Sequence, residues 1–238
     1  MLNWLSFNST FKIQNFPLRL ALLQPQFAPN LYDLAAMLKA DRVVWEDVEK
    51  WSRKGRTHRT EIRGENGLQW INLPIMTEDK ESAIKDVRID HSRDWLEPMW
   101  NAIYHNYRTA TYFDFYVDEL RADFEAASQF EKLLDFDLYF FGRMMVYLEL
   151  DLQPELASNI PEYDTFPDIF TENIGADILY LEHQSKNYQR QSRNVVDALE
   201  IHPEYRQAYK PFFPRASILD LLLNCGKESF KVIDELII

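Results

Sequence analysis

The chain has one cysteine, Cys225, and six glycines in 238 residues, and these two scarcities remove several chemistries at once. A lone thiol forms no internal disulfide and no cysteine-rich metal knuckle, a usage that fits a reducing compartment. Neither a Gly-x-Gly-x-x-Gly turn nor a Walker-type loop occurs, which leaves no glycine loop to cradle a phosphate. Gly-x-Ser-x-Gly is missing too. The five histidines are scattered without His-x-x-x-His spacing, so no metal site is assigned and a zinc enzyme is not expected.

Long apolar runs are also missing: the longest span only a few residues, against roughly 20 for a bilayer crossing, so no membrane insertion is expected. Positive charge is in short supply. The 26 Lys and Arg face 38 Asp and Glu, giving a net charge of -12 and a pI of about 4.9, which disfavours broad binding to nucleic acid or anionic membranes. The first residues lack the charged start and long apolar stretch of a signal peptide, so the expected location is the cytoplasm.

What is present suits a packed core. Apolar residues make up 46% and aromatic residues 14%, and 238 residues fit one domain. We expect an N-terminal extension over 1–17 and a single α/β domain over 18–238, with a mostly parallel (mixed) central sheet, a β-hairpin insertion and a helical block on its faces. Leu18 to Leu23, closed by Gln24-Pro25-Gln26, reads as a buried strand. A helix capped by Asn30 follows, carrying Leu31, Leu34, Ala35 and Leu38, and then a strand over 42–45; this strand-helix-strand unit favours parallel pairing. Strands over 60–63 and 68–75 flank Asn66-Gly67 as a hairpin, and 84–89 reads as an edge strand. Residues 94–150 are helical in pattern, with Asp94 and Glu97 as a capping pair, and the proline-bearing stretch 152–167 reads as a surface loop. Two further strands are expected over 178–181 and 198–201, and a helix introduced by Ser217 and stopped at Gly226.

Three groups of residues can carry chemistry. Lys50, Arg53, Lys54, Arg56, Arg59 and Arg63, with His58 among them, form a basic island in an acidic chain. Guanidinium groups there can clamp a phosphate or carboxylate, making a small anionic molecule the expected ligand; they can equally pair with Glu46, Asp47, Glu49 and Glu61 on a solvated loop. Gln24 and Asn30 sit just past the first strand, where α/β sheets bind ligands, and their amides can orient a sugar or nucleotide edge; the alternative is a proline-shaped turn and a helix cap. Glu46 and Asp47 follow the second strand and are the candidate general bases or magnesium ligands, or else ordinary exposed acids. Cys225 reads as packing and Ser217 as a cap rather than as nucleophiles.

A family resemblance runs from about Arg19 to Gly226. The ordered segments Leu23-Gln24-Pro25-Gln26, Trp45-Glu46-Asp47-Val48-Glu49, Arg53, His58-Arg59, Asn66 to Ile75, Tyr107, Tyr112-Phe113 and Ser217 to Asn224 resemble the WbqC-like family. Gln24 and Pro25 match the family's His-Gln-Pro-Asn start, Arg53 stands for its Lys, Arg59 matches the Arg of its Asn-Arg pair, and Asp220 and Asn224 match its closing motif. Leu23, Gln26 and His58 depart from it, replacing His, Asn and Asn. The resemblance implies a bacterial surface-polysaccharide setting rather than a defined reaction, with an acyl- or aminoacyl-type transfer to sugars as the suggested chemistry, and it adds Asp220 and Asn224 to the ligand-binding candidates. Leucine at position 23 transfers no proton, so a non-catalytic binding or scaffold role is the alternative. The sequence indicates no cofactor and no oligomeric state.

Overall fold

The computed structural model describes residues 17–183 and 194–238. Its centre is a parallel sheet of four strands: β1 (Arg19–Leu23), β2 (Arg42–Trp45), β5 (Glu155–Leu156) and β6 (Ile178–Leu181), in the order β5-β2-β1-β6. The strand-helix-strand unit forms as expected, with α1 (Leu31–Lys39) between β1 and β2. Asn30 caps α1, its side-chain oxygen accepting from Asp33 N at 3.0 Å.

Alternation along β1 divides the core, as both faces of a parallel sheet must be covered. Ala21 and Leu23 join the large cluster, which also takes Val43, Trp45 and most of the helices. Leu20 and Leu22 join a smaller cluster with Val44, Leu179, Ile160 and Phe170. The helical block is α2 (Leu96–Tyr107), α3 (Phe113–Ala127) and α4 (Leu133–Tyr147), joined by α6 (Ile218–Cys225) and α7 (Ser229–Ile237). Asp94, expected as the cap, lies one residue before the Trp95 N-cap of α2 and accepts from Glu97 N at 3.3 Å. The smaller face is covered by α5 (Pro167–Ile174), which starts on proline and ends at Gly175 with φ +67°.

The hairpin is β3 (Arg59–Gly64) with β4 (Gly67–Asn72), packed against α2 and α6. Its turn is Glu65-Asn66, one residue earlier than Asn66-Gly67, because Gly67 pairs with Gly64 and carries the positive φ of +138°.

Other segments differ from expectation. The 84–89 stretch is a single 3-10 turn over Ile84–Asp86 plus a bridge from Ile89 to Ile75, so its buried Ile84, Val87 and Ile89 follow a turn rather than a strand period. The 152–167 stretch contains β5, held to β2 by a two-point Arg42–Glu155 pair at 2.9 and 2.8 Å. The fourth strand expected at 198–201 is irregular; the contact with β6 comes earlier, where Val195 bridges Leu179. Gly226 stops α6 with φ +53°, where a Cβ would lie 2.3 Å from the Tyr112 ring, and the chain resumes in α7.

Candidate functional site

The strand order places a reversal beside β1. The chain moves outward from β1 to β2 and β5, then returns on the other side of β1 as β6. In α/β sheets the carboxyl ends of strands flanking such a reversal are where ligands bind. Here those ends are Gln24 after β1 and Glu182-His183 after β6.

A buried polar cluster is built on them. Asp33, in the first turn of α1, is fully buried and saturated: Oδ2 accepts from Arg56 Nη1 at 2.5 Å and from Gln26 Nε2 at 3.1 Å, and Oδ1 accepts from His183 N at 2.8 Å. Arg56 also donates to the His183 carbonyl and lies 3.6 Å from Glu182 Oε1. Burial pushes the Glu182 carboxyl up to about 8; Arg56 opposes the shift, Asp33 adds to it, and the Gln24 N–H opposes it. Beside this trio the His183 ring lies flat on Tyr32, with centroids 3.9 Å apart, and His202 meets Tyr32 edge-on at 5.1 Å. His202 Nδ1 faces the Pro203 carbonyl at 2.8 Å, so it carries the proton and the buried Nε2 holds the lone pair.

Several deep polar atoms here have no hydrogen-bond partner: Gln24 Oε1, Glu182 Oε2, His58 Nδ1 and His202 Nε2. Such atoms are rare in folded proteins and each calls for a reason.

The basic island arches over this region and is then divided. Trp51 and His58 are buried at its two ends, with ring centroids 4.9 Å apart, and Gly55 comes so close to Gln24 that a Cβ there would sit 2.9 Å from Gln24 Oε1. Arg56 turns inward. Arg53 and Lys54 are exposed. Arg59 turns away, stacking 4.1 Å over Trp70 and donating to the carbonyls of Gly55 and Lys54 at 2.9 and 2.7 Å. The three arginines Arg53, Arg56 and Arg59 therefore do not converge: only Arg56 joins the strand-end cluster. His58 is buried, and burial, aided by Arg59, depresses its ring to about 4.

The other candidates lie elsewhere. Asn30 spends its side-chain oxygen on the α1 cap. Glu46 and Asp47 are buried at the end of β2, where they tie down the segment after β5: Glu46 Oε1 accepts from Tyr163 OH at 2.8 Å and Asp47 Oδ1 from Ser158 N at 2.9 Å. Asp220 and Asn224 belong to a separate buried network. Asp220 Oδ2 accepts from Tyr205 OH at 2.7 Å and Gln207 Nε2 at 2.9 Å, and Oδ1 from Asn224 Nδ2 at 3.1 Å. Leu23 is part of the large apolar core. A groove of about 360 Å³ between β4 and α2, lined by Trp70, Pro74, Trp95 and Met99 among others, contains none of these candidates. Among the described residues no group of three or more His, Cys, Asp or Glu is placed to hold a metal ion. No helix among them is long and apolar enough to cross a membrane.

Sequence reasoning missed Asp33 and Glu182. Both were within reach of the argument that selected Gln24, since Glu182 directly follows a recognised strand and Asp33 lies in the first turn of the helix that Asn30 caps.

A four-stranded parallel sheet with both faces covered, and an acid–arginine cluster at its reversal, define an α/β protein with a polar cluster at its strand ends. Comparison with known proteins gives this class a family: the chain belongs to the WbqC-like protein family, whose model matches residues 24–232. It is also 27% identical over 228 residues to the uncharacterized protein Rv1507c of Mycobacterium tuberculosis, covering 89% of this chain and 95% of that one. No solved structure matches it.

Proposed function

We propose that this protein binds a phosphorylated or nucleotide-linked sugar at the carboxyl ends of β1 and β6, as a cytoplasmic, transferase-like component of surface-polysaccharide biosynthesis. The observation that carries the reading is a half-buried guanidinium, Arg56, at the topological reversal, on a loop whose Gly55 closes on a carboxamide oxygen, Gln24 Oε1, that has no donor. Exposed Arg53 and Lys54 on the same short loop supply the outer positive charge that an anionic group needs. Family membership supports the pathway; the acyl- or aminoacyl-type transfer is the chemistry the resemblance suggests.

A second reading, binding without chemistry, is favoured by the pairing of Arg56: its charge is already matched by Asp33 at 2.5 Å, which suits a fixed recognition element. Thermal denaturation with nucleotide sugars, sugar phosphates and acyl and aminoacyl donors tests binding. A true ligand at about 100 times its Kd stabilises by about 2.7 kcal/mol, a rise on the order of 5 °C for a chain of this size. Arg53→Ala is expected to reduce that rise without lowering the unliganded midpoint. Absence of any rise across the panel rejects the ligand class, and product formation from a donor–acceptor pair separates the transferase from the scaffold.

A further inference from the structure

The acid–arginine cluster holds two carboxyls and one guanidinium. Asp33 takes the close contact with Arg56, and three donors in all saturate its two oxygens. Glu182 lies at 3.6 Å from the same Nη1, beyond hydrogen-bond range, and receives the Gln24 N–H; its Oε2 has no partner. The residue is 4% exposed. A second buried negative charge beside Asp33 would lack a cation of its own, and leaving it ionised costs more than retaining a proton.

Among the described residues no neighbour relieves this: those around Glu182 are Asp33 from α1, Arg56 from the loop and His183 next along the chain, with Glu61 of β3 acting on Arg56 and Asp197 and Arg215 on His183. Burial lowers the His183 ring, which lies against Tyr32 as an aromatic surface rather than as a cation. Glu46 and Asp47, the acids that sequence order suggested for proton work, are engaged one strand away with Tyr163 and Ser158.

We propose that Glu182 is a ligand-contacting acid: it meets the ligand as a neutral carboxyl and donates its proton in a hydrogen bond to an anionic oxygen, a phosphate or carboxylate, that an ionised Glu182 would repel. This rests on the reading that the strand-end cluster takes an anion. No bond is made or broken and the proton stays shared between the two oxygens, so the contact is a recognition device that also sets a proton where a transfer reaction can use it. The ligand then binds one proton state, and affinity carries the pH dependence of that state.

The test is calorimetric titration of the full chain with UDP-glucose, whose diphosphate keeps its charge between pH 6 and 9, and with sulfate as the minimal anion. Wild-type affinity is expected to be level below pH 7 and to fall by about tenfold per pH unit above pH 8, with proton uptake near pH 8 visible as a dependence of the heat on buffer ionisation. Glu182→Gln keeps a donor but cannot ionise; it is expected to bind within a few-fold of wild type at pH 7 with an affinity that does not change with pH. Binding by wild type that ignores pH, or an equal fall in Glu182→Gln, overturns this proposal and leaves the anion site standing. No binding of either probe at any pH overturns both. Should the variant fail to fold, the wild-type profile and its buffer dependence still decide.

Discussion

Two of the buried polar clusters of this protein differ in how completely they are satisfied. Around Asp220, Tyr205, Gln207 and Asn224 fill the carboxylate, Tyr107 adds a further bond, and Gln207 exchanges two more with the backbone of Phe213. Arg63, fully buried nearby, donates to the carbonyls of Gly64, Gly67 and Pro211 and lies 4.5 Å over the Phe213 ring, leaving its Nε over. That network fastens the 205–213 segment to α6 and to the hairpin. Around Asp33, by contrast, four deep polar atoms on neighbouring side chains stay without partners. Each such atom costs on the order of 1–3 kcal/mol, so this region gives up stability that a ligand supplying the missing bonds would return, although others, such as both oxygens of Asp137 in α4, lie away from it. On the proposed reading the saturated network is scaffold and the unsaturated one is the site.

The comparison breaks first, and by the largest margin, at Asp220. Asp220→Ala strands several buried donors together and is expected to lose about 3–5 kcal/mol in urea denaturation, a large share of the total for a domain of this size. Asp220→Asn keeps an acceptor and loses less. A loss below about 1 kcal/mol for the alanine variant would show that this network does not hold the structure.

Asp33 tests the other cluster. Removing its charge leaves the half-buried Arg56 without its close partner, a defect worth up to about 3–5 kcal/mol for a fully buried pair, yet here Glu182 stands 3.6 Å away with a proton to give up. Asp33→Asn is therefore expected to cost only about 2 kcal/mol at pH 7, because Glu182 ionises and takes over the pairing. Asp33→Asn combined with Glu182→Gln removes that reserve and should lose clearly more than the two single losses added. Simple additivity in a double-mutant cycle would show the two acids to be uncoupled.

How far the sequence foretold this arrangement depended on what each part rests upon. Local signals worked: the Asn30 cap, the Gly226 stop and the β1-α1-β2 unit follow from residue type and spacing, because short-range geometry decides them. The strand β5 was hidden, since two residues between prolines carry no period and are ordered by Arg42 from 113 positions away. The basic island was visible as composition, but composition has no direction. Whether a guanidinium turns in or out was decided by partners remote in the chain, Asp33 and His183 for Arg56 and the ring of Trp70 for Arg59. Asp220 and Asn224 were drawn toward function by their motif, yet their donors lie on the 205–213 segment that they anchor, a contact that no sequence spacing announces.

The smallest effect is silent at neutral pH and sharpens the distinction on the acid side. His58 is buried against Trp51 with Nδ1 unpartnered, and its ring is held at about 4 where the unfolded chain titrates near 6.5. Between those two values the unfolded state carries a proton that the folded state refuses, so stability falls as pH drops from 6.5 to 4 and is level above 6.5; the total is on the order of 3 kcal/mol. Glu182 runs the opposite way. Raised to about 8, it keeps its proton in the fold while the unfolded chain has lost it from pH 4.5 upward, so its contribution declines as pH rises to 8. Removing His58 should therefore unmask Glu182: thermal midpoints of His58→Gln are expected to match wild type within the equivalent of 1 kcal/mol at pH 7 and to exceed it increasingly below pH 6. A His58→Gln protein that loses stability in acid as steeply as wild type would mean that the ring takes up its proton inside the fold, and that the region under the loop is far better solvated than four unpartnered atoms require.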